Sequence, residues 1–81
     1  LIQLDDTYSI VEMKPAKQWI GKSLMNLDLR KKYNINILGK RNKETYKLEF
    51  FIDPSYIVEE DDPFLLVADT EKIERLDYIF D

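Results

Sequence analysis

The stretch Phe64-Leu65-Leu66-Val67-Ala68 is apolar at every position, and no other feature constrains the fold of this chain as strongly. Such a run predicts a central strand buried on both faces, with neighbouring strands on either edge. It is far short of the roughly 20 apolar residues that cross a bilayer, and Phe50-Phe51-Ile52 is shorter still. No secretory signal pattern precedes these elements. The chain has 81 residues, 44% of them hydrophobic and 35% charged, which is material for one small domain rather than for two or for a disordered tail. At this length one core seldom supplies more than ~3–5 kcal/mol, and the chain begins at Leu1 rather than at methionine. A fragment of a larger protein that oligomerises is the expectation.

Around the central run the periodicities predict the other elements. From Thr7 to Met13, Tyr8, Ile10 and Glu12 alternate with Ser9, Val11 and Met13, a strand that Pro15 ends. Gly21 interrupts any helix begun after the proline, so Ala16 to Lys22 is an irregular turn and Ser23 caps a new helix. Over Ser23 to Tyr33, Leu24 and Leu27 stand three apart while Met25, Leu29 and Tyr33 follow a four-residue step, which predicts one broad apolar face. Asp28 is positioned to cap a second turn within this span. Alternation resumes at Ile35, Ile37 and Gly39, and Arg41 to Thr45 reads as a hairpin loop. The return strand shows the strongest alternation in the chain, with Tyr46, Leu48, Phe50 and Ile52 on one face until Asp53-Pro54 stops it. The run Glu59-Glu60-Asp61-Asp62 reads as a solvated acidic turn, and Asp69 or Thr70 caps a last helix carrying Ile73, Leu76 and Phe80.

The order strand, helix, strand, strand, strand, helix predicts a small α+β sandwich, helices on one side of a mainly antiparallel sheet, with a βαβ start that suits a right-handed crossover.

Composition narrows the chemistry. Twelve basic against sixteen acidic residues leave a net charge of −4, so the molecule has no electrostatic case for DNA, RNA or an anionic membrane, and an anionic ligand needs a local site. With no cysteine and no histidine, disulfides, thiol nucleophiles, the usual zinc sites and imidazole bases are excluded. The two isolated glycines make no phosphate loop. No catalytic residue, metal site or cofactor is expected.

Positive charge concentrates once, in Arg30-Lys31-Lys32 at the end of a predicted helix. Cations there complement the helix dipole by ~0.3–1 kcal/mol, which accounts for two of the three. Arg30 lies four residues after Asn26, toward the packed side, and admits two readings, helix-end complement or bidentate phosphate contact; Lys31 and Lys32 are expected to face solvent. Asn36 between Ile35 and Ile37 goes against strand propensity, and its amide either reads a nucleobase edge or satisfies a nearby loop. Trp19 reads as core or interface packing rather than a base-stacking platform.

The series Tyr8-Ser9-Ile10-Val11-Glu12, Pro15, Trp19-Ile20-Gly21-Lys22-Ser23-Leu24, Leu27-Asp28-Leu29-Arg30, Tyr33-Asn34-Ile35-Asn36-Ile37, Pro54 and Phe64-Leu65-Leu66-Val67 resembles the C-terminal regulatory domain of the RCK family, also called TrkA-C, of Ktr and Trk potassium uptake systems. The likeness runs from about Tyr8 to Ile79. It implies a cytoplasmic domain that follows a nucleotide-binding domain, forms a two-fold homodimer, is peripheral to the membrane through its transporter subunit, and in several members binds cyclic di-AMP, which inhibits potassium uptake. Carried over, the ligand-binding positions are Leu24, Arg30, Asn36, Ile37 and Pro54. The resemblance implies that Arg30 meets phosphate, that Asn36 and Ile37 meet adenine, and that apolar residues line the groove. Two positions depart from the family pattern: Asp61 stands where a glycine is common, and Lys40 where an apolar residue is. The alternative is a dimerisation module without a ligand.

Overall fold

The computed structural model describes residues 2–76. The expected α+β architecture is observed. Five strands lie among the described residues, β1 (Ile2–Gln3), β2 (Tyr8–Met13), β3 (Asn36–Arg41), β4 (Leu48–Glu49) and β5 (Phe64–Asp69), in the spatial order β1-β2-β5-β3-β4. Every neighbouring pair is antiparallel. The apolar run therefore forms the middle strand, with β2 and β3 bonded to its two edges. Both are antiparallel to β5, so they are parallel to each other; the βαβ start is present with β5 inserted between its strands. β1 escapes sequence reading because two residues carry no periodicity.

Along β5, Phe64, Leu66 and Ala68 are buried while Leu65 and Val67 are half-buried, so one face is sealed and the other only partly covered. The sealed face meets Trp19, Leu29, Ile35, Val58 and Leu76 in one core cluster. Each large side chain buried this way stabilises the fold by about 1.5–3 kcal/mol. Trp19 is fully buried with its ring edge-on to Phe64, centroids 6.5 Å apart, as its core reading required.

A 3-10 turn at Lys17–Trp19 leads through Gly21, at φ 82°, to Ser23, whose Oγ accepts from Asn26 N at 3.1 Å. The predicted single helix is two short ones, α1 (Leu24–Leu27) and α2 (Leu29–Tyr33), because Asp28 between them is left-handed at φ 48°. Asp28 holds the capping position of α2 but makes no side-chain cap bond. The break rotates the second turn, so Leu29 is buried and Met25, expected on the same face, is 65% exposed. Asn34 at φ 55° ends α2; aspartate and asparagine tolerate this conformation better than most residues. α3 (Thr70–Glu74) is capped by Asp69, which accepts from Glu71 N at 2.9 Å, and Lys72 Nζ donates to Tyr33 O at 3.1 Å, tying α3 to the end of α2. Phe80, expected on this last helix, lies outside the described residues.

The hairpin departs most from expectation. The β3–β5 register slips between Ile37 and Gly39, so Leu38 is an extra, bulged residue. Gly39 has its Cα against β4: an added Cβ would lie 2.5 Å from Glu49 O. Beyond the bulge β3 offers β4 only Lys40 and Arg41 as partners. The strand predicted from Tyr46 to Ile52 accordingly shrinks to Leu48–Glu49, and Tyr46 sits in the left-handed region at φ 63°.

Candidate functional site

Four of the five residues expected at a ligand site surround one open depression. Leu24 comes from α1, Arg30 from α2, and Asn36 and Ile37 from the start of β3, about a space of roughly 430 Å³. Met25, Asp28, Leu29 and Ile35 complete the lining. The left-handed Asp28 turns α2 back across the end of α1, while Asn34 turns the chain directly into β3. The apolar floor and the cation at the rim thus follow from two consecutive reversals. Pro54 is not among the lining residues. Its carbonyl stands at the N-terminal end of α1, accepting from Met25 N at 2.8 Å.

Arg30 is exposed rather than turned toward the packed side, since Leu29 takes the buried position of α2. It also borders a second, more polar depression of roughly 440 Å³ with Asp28, Lys31 and Asn34. Lys31 is exposed, as expected, and lines that second surface together with Arg30. Lys32 lines neither.

The acidic turn contains the second feature that sequence reading missed. Glu59, Glu60 and Asp61 are exposed as expected, but Asp62 is fully buried. Its carboxylate accepts from the Tyr56 phenol at 2.7 and 2.8 Å and from Glu59 N at 2.8 Å. Lys40 Nζ lies 3.7 Å and Lys43 Nζ 3.6 Å from it. The same Lys40 ammonium stands 5.3 Å from the centre of the Tyr56 ring. Burial, and then the Asp62 hydrogen bond, push the phenol far above its ordinary value, so it remains a donor at any physiological pH. The signal available in the sequence was Lys40 itself, a cation where the family pattern commonly has an apolar residue.

Elsewhere the charges serve structure. Arg41 grips Glu12 through Nε at 2.9 Å and Nη2 at 2.8 Å, and donates from Nη1 to Tyr46 O at 2.7 Å. That side-chain bond is the main cause holding the Glu12 carboxyl below its ordinary value. Among the described residues no group of three or more acidic side chains is arranged to hold a metal ion. Nor is any helix among them long and apolar enough to cross a membrane.

The TrkA-C domain model matches residues 8–81. The chain belongs to the TrkA-C domain family. This TrkA-C domain is 28% identical over 79 residues to the Ktr system potassium uptake protein C of Bacillus subtilis (strain 168), a match covering 94% of this chain. It spans about a third, 34%, of that relative's length. Among solved structures it is similar to the RCK C domain of the potassium transport protein KtrA in complex with cyclic diadenosine monophosphate. The TM-score is 0.71 at 25% identity, over 89% of this chain and 82% of that one. The crystal structure of the GsuK RCK domain shares the fold, with a TM-score of 0.69 at 15% identity over 93% of this chain and 16% of that one. The domain is thus an RCK C domain related to potassium transport regulators.

Proposed function

We propose that this domain is a cyclic di-AMP receptor that regulates a potassium uptake protein, binding its ligand between two copies of the chain and catalysing nothing. The observation that carries the reading is the likeness to the KtrA RCK C domain in complex with that ligand, together with the depression that Leu24, Arg30, Asn36 and Ile37 share. The depression opens broadly on the surface and suits half of a symmetric ligand. On a two-fold axis the same few residues act twice, so each phosphate meets one Arg30 guanidinium and each base one Asn36 amide over Ile37. Pro54 contributes by fixing Met25 rather than by lining the space. Through the rest of its protein, the homodimer would act on a membrane transporter subunit from the cytoplasmic side.

Calorimetric titration with cyclic di-AMP, cyclic di-GMP and AMP tests the reading. Cyclic di-AMP is expected to bind best, to raise Tm in proportion to RT ln(1 + [L]/Kd), and to remain intact on prolonged incubation. Arg30→Ala removes a charge-assisted bond from each half of the ligand, and affinity should fall by at least about tenfold. Lys32→Ala makes the same change in net charge and is expected to bind like the parent. If no ligand shifts Tm while the chain still dimerises, the domain is a ligand-free dimerisation module.

A further inference from the structure

The depression has two walls, and one buried carboxylate is tied to both. One wall is the start of α1, where Leu24 and Met25 line the space. A helix of four residues does not hold its shape unaided, because helix nucleation is unfavourable and its first N–H groups need outside acceptors. Ser23 Oγ serves Asn26 N, and the acceptors for the two preceding N–H groups come from a single segment: Leu24 N donates to Tyr56 O at 3.1 Å and Met25 N to Pro54 O at 2.8 Å. The same segment is laced to the approach to α1 through Val58 N to Lys22 O at 2.9 Å and Gly21 N to Val58 O at 2.8 Å. Tyr56 is bound at its other end as well, its phenol donating to both oxygens of Asp62.

The opposite wall is the start of β3, with Asn36 and Ile37. Lys40, on the same strand beyond the bulge, has a side chain only 13% exposed and is ion-paired with Asp62. Its ammonium also stands against the Tyr56 ring. A fully buried carboxylate has no water to replace a lost partner, so these groups hold or release one another as a unit.

We infer that Asp62 is a positioning residue for the ligand site: through the Tyr56 phenol and the Lys40 ammonium it sets the α1 wall against the β3 wall. The inference rests on the receptor reading above for the identity of the ligand, but the setting of the walls is measurable without one.

The test pairs cyclic di-AMP titration with residue-resolved amide exchange on the 81-residue chain, for the parent, Tyr56→Phe, Asp62→Asn, Lys40→Arg and Glu60→Gln. Tyr56→Phe keeps the ring beside Lys40 and removes only the bond to Asp62. In it and in Asp62→Asn, exchange at the Leu24 and Met25 amides is expected to quicken by at least about tenfold relative to Leu66 and Val67, with a comparable loss of affinity. Lys40→Arg keeps the ion pair and should behave like the parent, and Glu60→Gln, exposed on the same turn, should change neither readout. A general loss of stability would move the β5 amides equally, which would overturn the inference, as would parental exchange at Leu24 and Met25 in Tyr56→Phe. Parental affinity in that variant would overturn it too. Should Asp62→Asn fail to fold, Tyr56→Phe carries both measurements. If the parent itself does not bind cyclic di-AMP, the receptor reading falls, and the exchange data alone decide whether Asp62 sets the walls.

Discussion

β5 and the segment from Tyr46 to Ile52 carry the two clearest strand signals in the chain, and the fold treats them in opposite ways. β5 is paired over its whole length with β2 and from Phe64 to Val67 with β3, and Phe64 and Leu66 are fully buried. The second segment pairs at two residues; Tyr46 is 72%, Phe50 66% and Phe51 89% exposed. An apolar run or an alternating pattern reports an apolar face in need of a cover, not where the cover comes from. For β5 the cover is local to the chain, in α2, the Trp19 turn and Leu76. For the aromatic residues of the segment the described residues leave most of each side chain exposed.

The two regions differ most in what their aromatic residues contribute to stability. Phe64→Ala opens a cavity beneath Trp19 and is expected to destabilise the domain by about 3–5 kcal/mol in denaturant titration. Phe51→Ser should change stability by less than about 0.5 kcal/mol when the chain is dilute. A large loss for Phe51→Ser that grows with protein concentration would instead show that the segment is covered by association.

A smaller effect sharpens the contrast at the joint between the two regions. Gly39 allows β4 to cross against β3, and Gly39→Ala drives a methyl group into the Glu49 carbonyl and toward Phe50 Cα, both of them backbone. We expect about 1–3 kcal/mol of destabilisation, with the Leu48 and Glu49 amides exchanging faster while those of β5 stay protected. Equal loosening of β5 would mean that the two regions are one cooperative unit.

The smallest effect is electrostatic. Arg41 depresses the Glu12 pKa below its ordinary value of 4.5, so the pair contributes fully above that pH and its contribution is lost as pH falls through the lower, folded value. Glu12→Gln should flatten this part of the acid titration of stability. Because the pair is solvent-exposed, the loss at neutral pH should stay below about 1 kcal/mol, shrinking further in salt.

Much of this was legible along the chain. The apolar run at Phe64 to Ala68 required a central strand, the alternation of β2 placed Ser9, Val11 and Met13 on the face that the structure buries or half-buries, and Ser23 and Asp69 cap as their side-chain chemistry dictates. These features depend on neighbours within a few residues, and local spacing encodes them directly. The cluster of Leu24, Arg30, Asn36 and Ile37 was named in the sequence through family resemblance, whereas the left-handed turns at Asp28 and Asn34 bring these residues around one space.

The remaining features involve partners far apart in the chain. The acidic run gave no sign that Asp62 alone would be buried, because its environment is made by Tyr56, Lys40 and Lys43 from other elements. The bulge at Leu38 depends on how β3 registers against β5, and it in turn limits β4 to two residues. Periodicity is a property of one segment, while burial of a charge and the length of a ladder are properties of the contact between segments. Local spacing therefore determined which faces are apolar, and long-range packing determined which of them are covered and which charges are enclosed.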